Sequence, residues 1–91
     1  MKLKCTNSGL IYVKQTIIVS IKRPNSLEGA KVLGKPVLIN VCNVVFLSHN
    51  NDGKVTFFMQ NGFEISLNIF FSEAEQILNS AMQGKEDEIN W

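Results

Sequence analysis

Two long apolar runs dominate the hydrophobic pattern of the first half of the chain, at residues 10–21 and 37–47. Both are rich in valine and isoleucine, which fit a pleated strand better than a helix because β-branching restricts side-chain rotation. Each run is longer than a typical strand. The first run therefore predicts a bend or bulge near Lys14 and Gln15, which lets one ribbon take part in two pairings.

The second run is apolar on both of its alternating sides, apart from Asn40 and Asn43. A strand of this kind needs cover from a helix, a second sheet, barrel closure or another subunit. We expect the two asparagines at a strand edge or a bend, where their amides find hydrogen-bond partners. Cys42, in the middle of the run, is predicted to be a small core residue.

Apolar and polar residues then alternate with a period of two in two short segments, Lys54–Gln60 and Phe63–Leu67. The turn formers of residues 50–53 precede the first segment, and Asn61–Gly62 separates the two. Asn-Gly supplies the positive φ angles that a tight hairpin turn requires. The pattern predicts a hairpin with one buried and one wet face. Phe58 falls on the wet face, either as an exposed aromatic residue or within a small satellite cluster.

A helix over about residues 72–83 is predicted after the hairpin. Ser72 and Glu75 have capping-box spacing, and Gly84 is suited to end the helix. The predicted fold is therefore α+β, a small antiparallel β-meander or curled partial barrel of about five strands with one C-terminal helix. Residues 1–84 form one β-rich domain, and residues 85–91 form an acidic tail that either frays or docks through Trp91, a large apolar anchor. The apolar stripe predicted to face the sheet consists of Ala74, Ile77, Leu78, Ala81 and Met82.

The charges are distributed unevenly although the net charge is only +1. Residues 1–54 carry a net charge of +6 and residues 55–91 carry −5. This asymmetry indicates an anionic partner for the first half, an acidic tail lying on the protein's own basic face, or simply a solvated surface. Residues 23–36, broken by glycine and proline, are predicted to form a structured loop. The candidate ligand-binding residues in and beside this loop are Lys22, Arg23, Lys31 and Lys35.

No catalytic or metal-binding constellation is visible, so the sequence predicts neither an enzyme nor a cofactor. His49 is the single histidine, and no second histidine or cysteine stands near it to form a metal site. Cys42 and His49 lie too far apart along an extended strand to act as a nucleophile and a base. We expect both cysteines to be reduced in a cytoplasmic protein. Neither a signal peptide nor a membrane span is predicted.

Four segments resemble a known family when read in order: Ile39–Leu47, Gly53–Phe57, Asn61–Ile65 and Ser72–Leu78. Together, within residues 39–83, they are similar to the FlbD-like family of small flagellar-operon proteins. That family has a short strand with an asparagine, a hairpin with an Asn-Gly or similar turn, and a helix with an acidic start. The same order is similar to part of a LytTR DNA-binding domain, whose basic and histidine positions on DNA have no clear counterparts here.

The leading hypothesis is a non-enzymatic interaction module, a self-associating bacterial or phage accessory protein. We expect a homo-oligomer that binds a protein or a small anionic regulatory ligand through its sheet edges and the loop at residues 23–36. The alternative is a nucleic-acid-binding domain that uses the basic first half, with binding that falls steeply as salt increases. No membrane interaction is predicted.

Overall fold

The computed structural model describes residues 1–30 and 36–90. Within them the chain forms eight strands in two four-stranded antiparallel sheets and one α-helix near the C-terminal end. The predicted α+β class and C-terminal helix are confirmed, and the described strands form two separate sheets rather than a closed barrel. The elements are β1 (Leu3–Cys5), β2 (Leu10–Val13), β3 (Ile18–Lys22), β4 (Val37–Asn40), β5 (Val44–His49), β6 (Val55–Met59), β7 (Glu64–Leu67), α1 (Phe71–Met82) and β8 (Asp87–Ile89).

The first sheet has the strand order β4-β2-β1-β8, and the second has the order β3-β7-β6-β5. Cross-strand pairs place buried residues opposite each other, as with Leu3 and Val13, or Ile11 and Ile39. Burial of one such side chain contributes about 2 kcal/mol. The buried hydrophobic residues of both sheets and the helix form a single core cluster. The strands number eight rather than about five, because both long runs divide and both ends of the chain contribute strands.

The first long run forms a ribbon, residues 10–22, that passes from the first sheet into the second. Strand β2 ends at Val13, a 3₁₀ helix occupies Gln15–Ile17, and β3 begins at Ile18. The predicted bend near Lys14 and Gln15 is confirmed, since the 3₁₀ helix begins at Gln15. The ribbon therefore takes part in two pairings, with β2 in the first sheet and β3 in the second.

The second long run forms a matching ribbon, residues 37–49, in which a 3₁₀ helix at Val41–Asn43 separates β4 from β5. Its prediction as one continuous strand was wrong. Asn40 lies at the bend as expected, where its side-chain oxygen accepts a 3.0 Å hydrogen bond from the Cys42 backbone N–H. Such a local bond competes with the extended ladder and starts the turn. Cys42 is exposed, not buried as predicted, because the turn takes it out of the pleat.

Helix α1 begins one residue earlier than predicted, at Phe71. Glu73 Oε1 accepts a 3.0 Å hydrogen bond from the Phe70 backbone N–H, so Glu73 performs the role that the sequence suggested for Glu75. The predicted capping box of Ser72 and Glu75 was therefore wrong in register. A carboxylate in the first turn also interacts favourably with the helix dipole.

One face of α1 packs on β1, β2 and β8 through Ala74, Ile77 and Ala81, which are buried as predicted. Met82 is 69% exposed, contrary to the prediction. Consecutive helical residues are rotated by about 100°, which places Met82 at the flank of the stripe. Gly84 follows the helix with a φ of 69° and confirms the predicted glycine stop.

The segment set apart in the sequence as an acidic tail contributes strand β8, which pairs with β1 and buries Ile89. Asp87 anchors this strand to the helix, accepting hydrogen bonds from Ser80 Oγ at 2.8 Å and Gln76 Nε2 at 3.2 Å. These bonds favour the ionised carboxylate and lower the pKa of Asp87. Trp91, for which both fraying and docking were considered, lies outside the described residues.

Candidate interaction surface

Two of the four outer strands are protected against further pairing. Ala30 covers the outer edge of β3 through two backbone hydrogen bonds with Ile21, of 2.7 and 3.0 Å. Lys22 adds a charge to the same strand, and β8 carries Asp87 and Glu88. Charged and covered edges are the devices by which natural proteins prevent unwanted strand pairing.

The other two outer strands, β4 and β5, carry no lysine, arginine, aspartate or glutamate. Both belong to the second ribbon. In the part of the chain that the structure describes, no strand pairs with the outer edge of either one. An uncharged edge of this kind presents backbone N–H and C=O groups to which another strand can bind.

Large apolar side chains are exposed along the same ribbon. Leu38 is 62% exposed, Val45 is 60% exposed and Phe46 is 53% exposed. The pairing of β5 with β6 shifts register between Val44 and Phe46, so Val45 is the extra residue of a β-bulge. A bulge residue is left out of the regular pairing, and here it adds apolar rather than charged surface to the edge.

Phe46 is held in place by a stacked partner. Its ring lies 4.4 Å from the ring of Phe58, with 12° between the two planes. Phe58 is only half-buried, so the pair forms the satellite cluster that was one of the two predictions for this residue. Aromatic pairs of this kind contribute about 0.5–1.5 kcal/mol beyond the area they bury. The stack therefore presents an ordered aromatic surface beside the free edge of β5.

Only two of the four predicted binding residues, Lys22 and Arg23, lie within the described residues. Lys22 Nζ lies 3.4 Å from Glu64 Oε2, in a pair that spans neighbouring strands. Arg23 is exposed just beyond the end of β3. Lys31 and Lys35 lie outside the described residues. Ligand binding by these four basic side chains stays a prediction.

The uneven charge distribution is partly neutralised within the molecule. Two ion pairs join the basic first half to the acidic second half: Lys2 Nζ to Glu73 Oε2 at 3.0 Å, and the Lys22–Glu64 pair. Both carboxylates precede the predicted acidic tail, so these contacts do not test whether that tail lies on the basic face. Ion pairs at the protein surface contribute about 0–1 kcal/mol each, so they affect the surface charge more than the stability.

Two surface cavities lie away from the β5 edge. The smaller, about 100 Å³, lies beside the start of the helix, where Lys2 and Glu73 bond to each other. The larger, about 360 Å³, is an open groove on the outer face of the first sheet. The residues that line the larger groove are Met1, Lys4, Thr6, Tyr12 and Leu38.

Reactive groups are scattered rather than assembled. Across residues 1–30 and 36–90, no group of three or more histidine, cysteine or acidic side chains is placed to hold a metal ion. His49 is exposed, with its ring centre 6.0 Å from that of Phe71. Burial raises the pKa of the Cys5 thiol, which donates a 3.2 Å hydrogen bond to the Lys85 carbonyl oxygen. This arrangement keeps Cys5 protonated and unreactive.

Comparisons with protein-family models, with curated proteins and with solved structures find no significant match. Among the described residues, no helix is both long enough and apolar enough to cross a membrane.

The sequence contained a signal for the exposed ribbon, namely that both sides of residues 37–47 are apolar. That pattern required cover for the strand from elsewhere in the fold or from another subunit. The structure covers Ile39 but leaves Leu38, Val45 and Phe46 exposed. The sequence analysis proposed binding through sheet edges and the basic loop, but it named candidate residues only in and beside the loop, so these three were not among them. The groove residues Lys4 and Tyr12 had no local signal, since only the sheet pairing brings them together.

Proposed function

We propose that the protein is a non-enzymatic interaction module that self-associates by pairing strand β5 with β5 of a second copy. The observation that carries this proposal is the uncharged, unpaired edge of β5 with Val45 and Phe46 exposed on it. The stretch noted for its resemblance to the FlbD-like family of small flagellar-operon proteins, residues 39–83, includes β5. In this proposal the second copy supplies the cover that the second ribbon lacks.

Pairing two copies of the same antiparallel edge is physically reasonable here. A twofold arrangement places each strand opposite itself, so a charged strand would bring like charges together. Strand β5 avoids this cost because it has no lysine, arginine, aspartate or glutamate. Pairing also removes Val45 and Phe46 from water, at roughly 25 cal/mol for each Å² of apolar surface buried.

The proposed interface is small, which sets its expected strength. Stable interfaces bury roughly 1,200–2,000 Å² in total. Strand β5 is six residues long, and its two exposed apolar side chains add to that contact area. We therefore expect a reversible dimer with a dissociation constant on the order of micromolar.

Sedimentation velocity over a wide range of protein concentrations tests the proposal. The wild type is expected to shift from monomer to dimer, whereas Val45→Lys is expected to stay monomeric because it brings like charges together at the edge. Met82→Lys is the matched control, since it adds the same charge at a residue 69% exposed on the helix. It is expected to associate like the wild type. A wild type that is monomeric throughout, or a Val45→Lys protein that still dimerises, would contradict the proposal.

Nucleic-acid binding by the basic first half is the alternative. Among the described residues, Lys2, Lys22 and Lys54 already pair with carboxylates, which reduces the positive charge available for phosphates. Retention on immobilised DNA that falls steeply with salt would support this alternative. Elution of the protein without retention at low salt would contradict nucleic-acid binding.

A further inference from the structure

The outer face of the first sheet carries a continuous row of side chains. Leu38, Tyr12, Lys4 and Glu88 lie opposite one another in register across β4, β2, β1 and β8. The helix packs on β1, β2 and β8 through its own buried face. The alternation of buried and accessible residues in β1 and β2 places Lys4 and Tyr12 on the opposite side from the core. This row is therefore open to solvent.

The groove on this face has the size and composition of a small-molecule site. Its volume is about 360 Å³, near the lower end of the 300–1,000 Å³ typical of such sites. Met1, Tyr12 and Leu38 give it apolar walls, and Lys4 and Thr6 provide polar groups. Apolar walls with a few polar groups are the usual composition of a ligand site.

Both polar groups are placed to donate hydrogen bonds. Within the described residues, no carboxylate lies within ion-pair distance of Lys4 Nζ, although Glu88 faces Lys4 across the sheet. Thr6 Oγ1 accepts hydrogen bonds from the backbone N–H groups of Ser8 at 3.3 Å and Leu10 at 3.4 Å. Because its oxygen already accepts twice, its hydroxyl hydrogen is left to donate. An ammonium and a donating hydroxyl together favour an anionic acceptor.

We propose that this groove binds a small organic anion with a flat apolar body. The anionic group accepts hydrogen bonds from Lys4 and Thr6, and the apolar body lies against Tyr12 and Leu38. Bonds between a charged donor and a charged acceptor are stronger than neutral ones, so they fix the orientation of the ligand. The site lies on β1, β2 and β4 and includes no residue of β5, so it does not depend on the proposed self-association.

The test uses two probes of the same shape, 1-naphthoate and its neutral analogue 1-naphthamide. Each is titrated into the ¹⁵N-labelled full chain, and the backbone amide shifts are followed by NMR. Naphthoate is expected to shift the amides of Lys4, Thr6, Tyr12 and Leu38 in a saturable manner. Naphthamide is expected to bind about fivefold more weakly, the factor of an exposed charge interaction. Equal binding of the two probes, or no saturable shift at these residues, would overturn the proposal.

Two variants that each lose one positive charge distinguish binding in the groove from nonspecific attraction to the protein surface. Lys4→Gln is expected to weaken naphthoate binding about fivefold and to leave naphthamide binding unchanged. Arg23→Gln removes an exposed positive charge outside the groove and is expected to change neither. An equal loss of naphthoate binding in both variants would show a nonspecific charge effect and overturn the site.

A repeat of the titration in the Val45→Lys protein separates this proposal from the self-association of β5. Naphthoate is expected to bind Val45→Lys as it binds the wild type, whether or not the wild type dimerises. A loss of groove binding in Val45→Lys would overturn the independence of the two surfaces. If the wild type does not dimerise but its groove binds naphthoate, the self-association proposal fails and the groove proposal holds.

Discussion

The two ribbons of this protein have the same backbone plan and different surroundings. Residues 10–22 and 37–49 each run strand, 3₁₀ helix, strand, and each passes from the first sheet into the second. The first ribbon buries Ile11, Val13, Ile17 and Ile18, and none of the described large hydrophobic residues that are exposed lies on it. The second buries only Ile39 and exposes three. Two runs with similar apolar sequences and the same backbone plan therefore differ strongly in how far their side chains are buried.

The correspondence extends to single hydrogen bonds. The carbonyl oxygen of Ile17, at the end of the first 3₁₀ helix, accepts a 2.8 Å bond from the Asn68 N–H, which follows β7. The carbonyl oxygen of Asn43, at the end of the second, accepts a 2.7 Å bond from the Gln60 N–H, which follows β6. Each ribbon is thus fixed at its bend by the residue after a strand of the second sheet.

Position in the sheets explains the difference between the ribbons. Strand β2 is an inner strand of the first sheet, and β3, although outermost in the second, is covered by Ala30. Strands β4 and β5 are both outermost, with no described strand beyond them. Burial is therefore decided by strand order rather than by local hydrophobicity. The exposed apolar residues collect on the ribbon that has free edges, which is why we assign the interaction surface there.

The largest effect that tests this comparison comes from truncating one residue in each ribbon. Ile11→Ala is expected to lower the free energy of unfolding by about 3 kcal/mol, because it leaves a cavity in the core. Leu38→Ala is expected to lower it by less than about 0.5 kcal/mol, because Leu38 is exposed in the monomer. Urea denaturation at low protein concentration measures both values. Similar losses in the two variants would mean that the second ribbon is covered in the monomer.

The bends in both ribbons could be predicted from the sequence, whereas the positions of their strands in the sheets could not. The bend at Gln15 followed from the length of the run and from the polar pair at residues 14 and 15. The bend at Asn40 was suggested by an amide that needed a partner, but its effect on Cys42 was missed, because a single Asn bond was not expected to end a strand. Capping at Glu73 rather than Glu75 was missed because the helix began one residue before the serine.

The interaction surface could be predicted only in part. Apolar residues on both sides of the second run indicated that something must cover it, and Phe58 was recognised as unusual on the wet face. Which strands would be outermost could not be read from the sequence, since strand order depends on pairings between distant residues, such as β1 with β8. The absence of charged residues from a strand indicates a candidate binding edge only when that strand is known to be outermost in its sheet.

A second test examines the residue just before the first ribbon, Gly9, which contacts the bend of the second ribbon at Val41. Gly9 has a φ of +79°, and its carbonyl oxygen accepts a 2.9 Å hydrogen bond from the Val41 N–H. A Cβ atom at Gly9 would lie 2.9 Å from Cγ1 of Val41. Gly9→Ala is therefore expected to cost about 2 kcal/mol in the free energy of unfolding, from backbone strain and from the clash.

Gly53→Ala is the control for Gly9→Ala, since Gly53 has a similar φ of +82° and a Cβ atom there would meet nothing within 4 Å. Its expected cost is about 1 kcal/mol, from backbone strain alone. The difference between the two variants, measured by urea denaturation, isolates the contact between Gly9 and Val41 of the second ribbon. Equal costs would show that Val41 moves aside without penalty.

The third test compares the two outer strands of the first sheet, the uncharged β4 and the acidic β8. Bonds from Ser80 and Gln76 lower the pKa of Asp87 below its ordinary value of about 3.9. A carboxylate with a lowered folded-state pKa adds stability above its unfolded pKa and loses it as the pH falls through its folded pKa. Asp87→Asn is expected to be less stable than the wild type by about 1 kcal/mol at neutral pH.

This difference between Asp87→Asn and the wild type is expected to shrink as the pH falls from about 5 and to vanish in strong acid. Thermal denaturation of both proteins across this range measures it. Protection of the β8 amides of the wild type from hydrogen exchange, expressed relative to the intrinsic exchange rate at each pH, is expected to fall over the same range more than protection of the β4 amides. A difference in stability that does not change with pH would show that the charge of Asp87 does not stabilise the attachment of β8 to the helix.

The smallest expected effect concerns the bends themselves. The second ribbon has a side-chain cap at Asn40, whereas Lys14, at the matching position of the first ribbon, gives its 3₁₀ helix no such cap. Asn40→Ala is expected to cost about 0.5–1 kcal/mol, because it leaves the Cys42 N–H to water. Asn43→Ala, at an exposed residue on the same 3₁₀ helix, is expected to change stability by less than about 0.3 kcal/mol. If Asn40→Ala were equally mild, the side-chain cap of Asn40 would not be what separates β4 from β5.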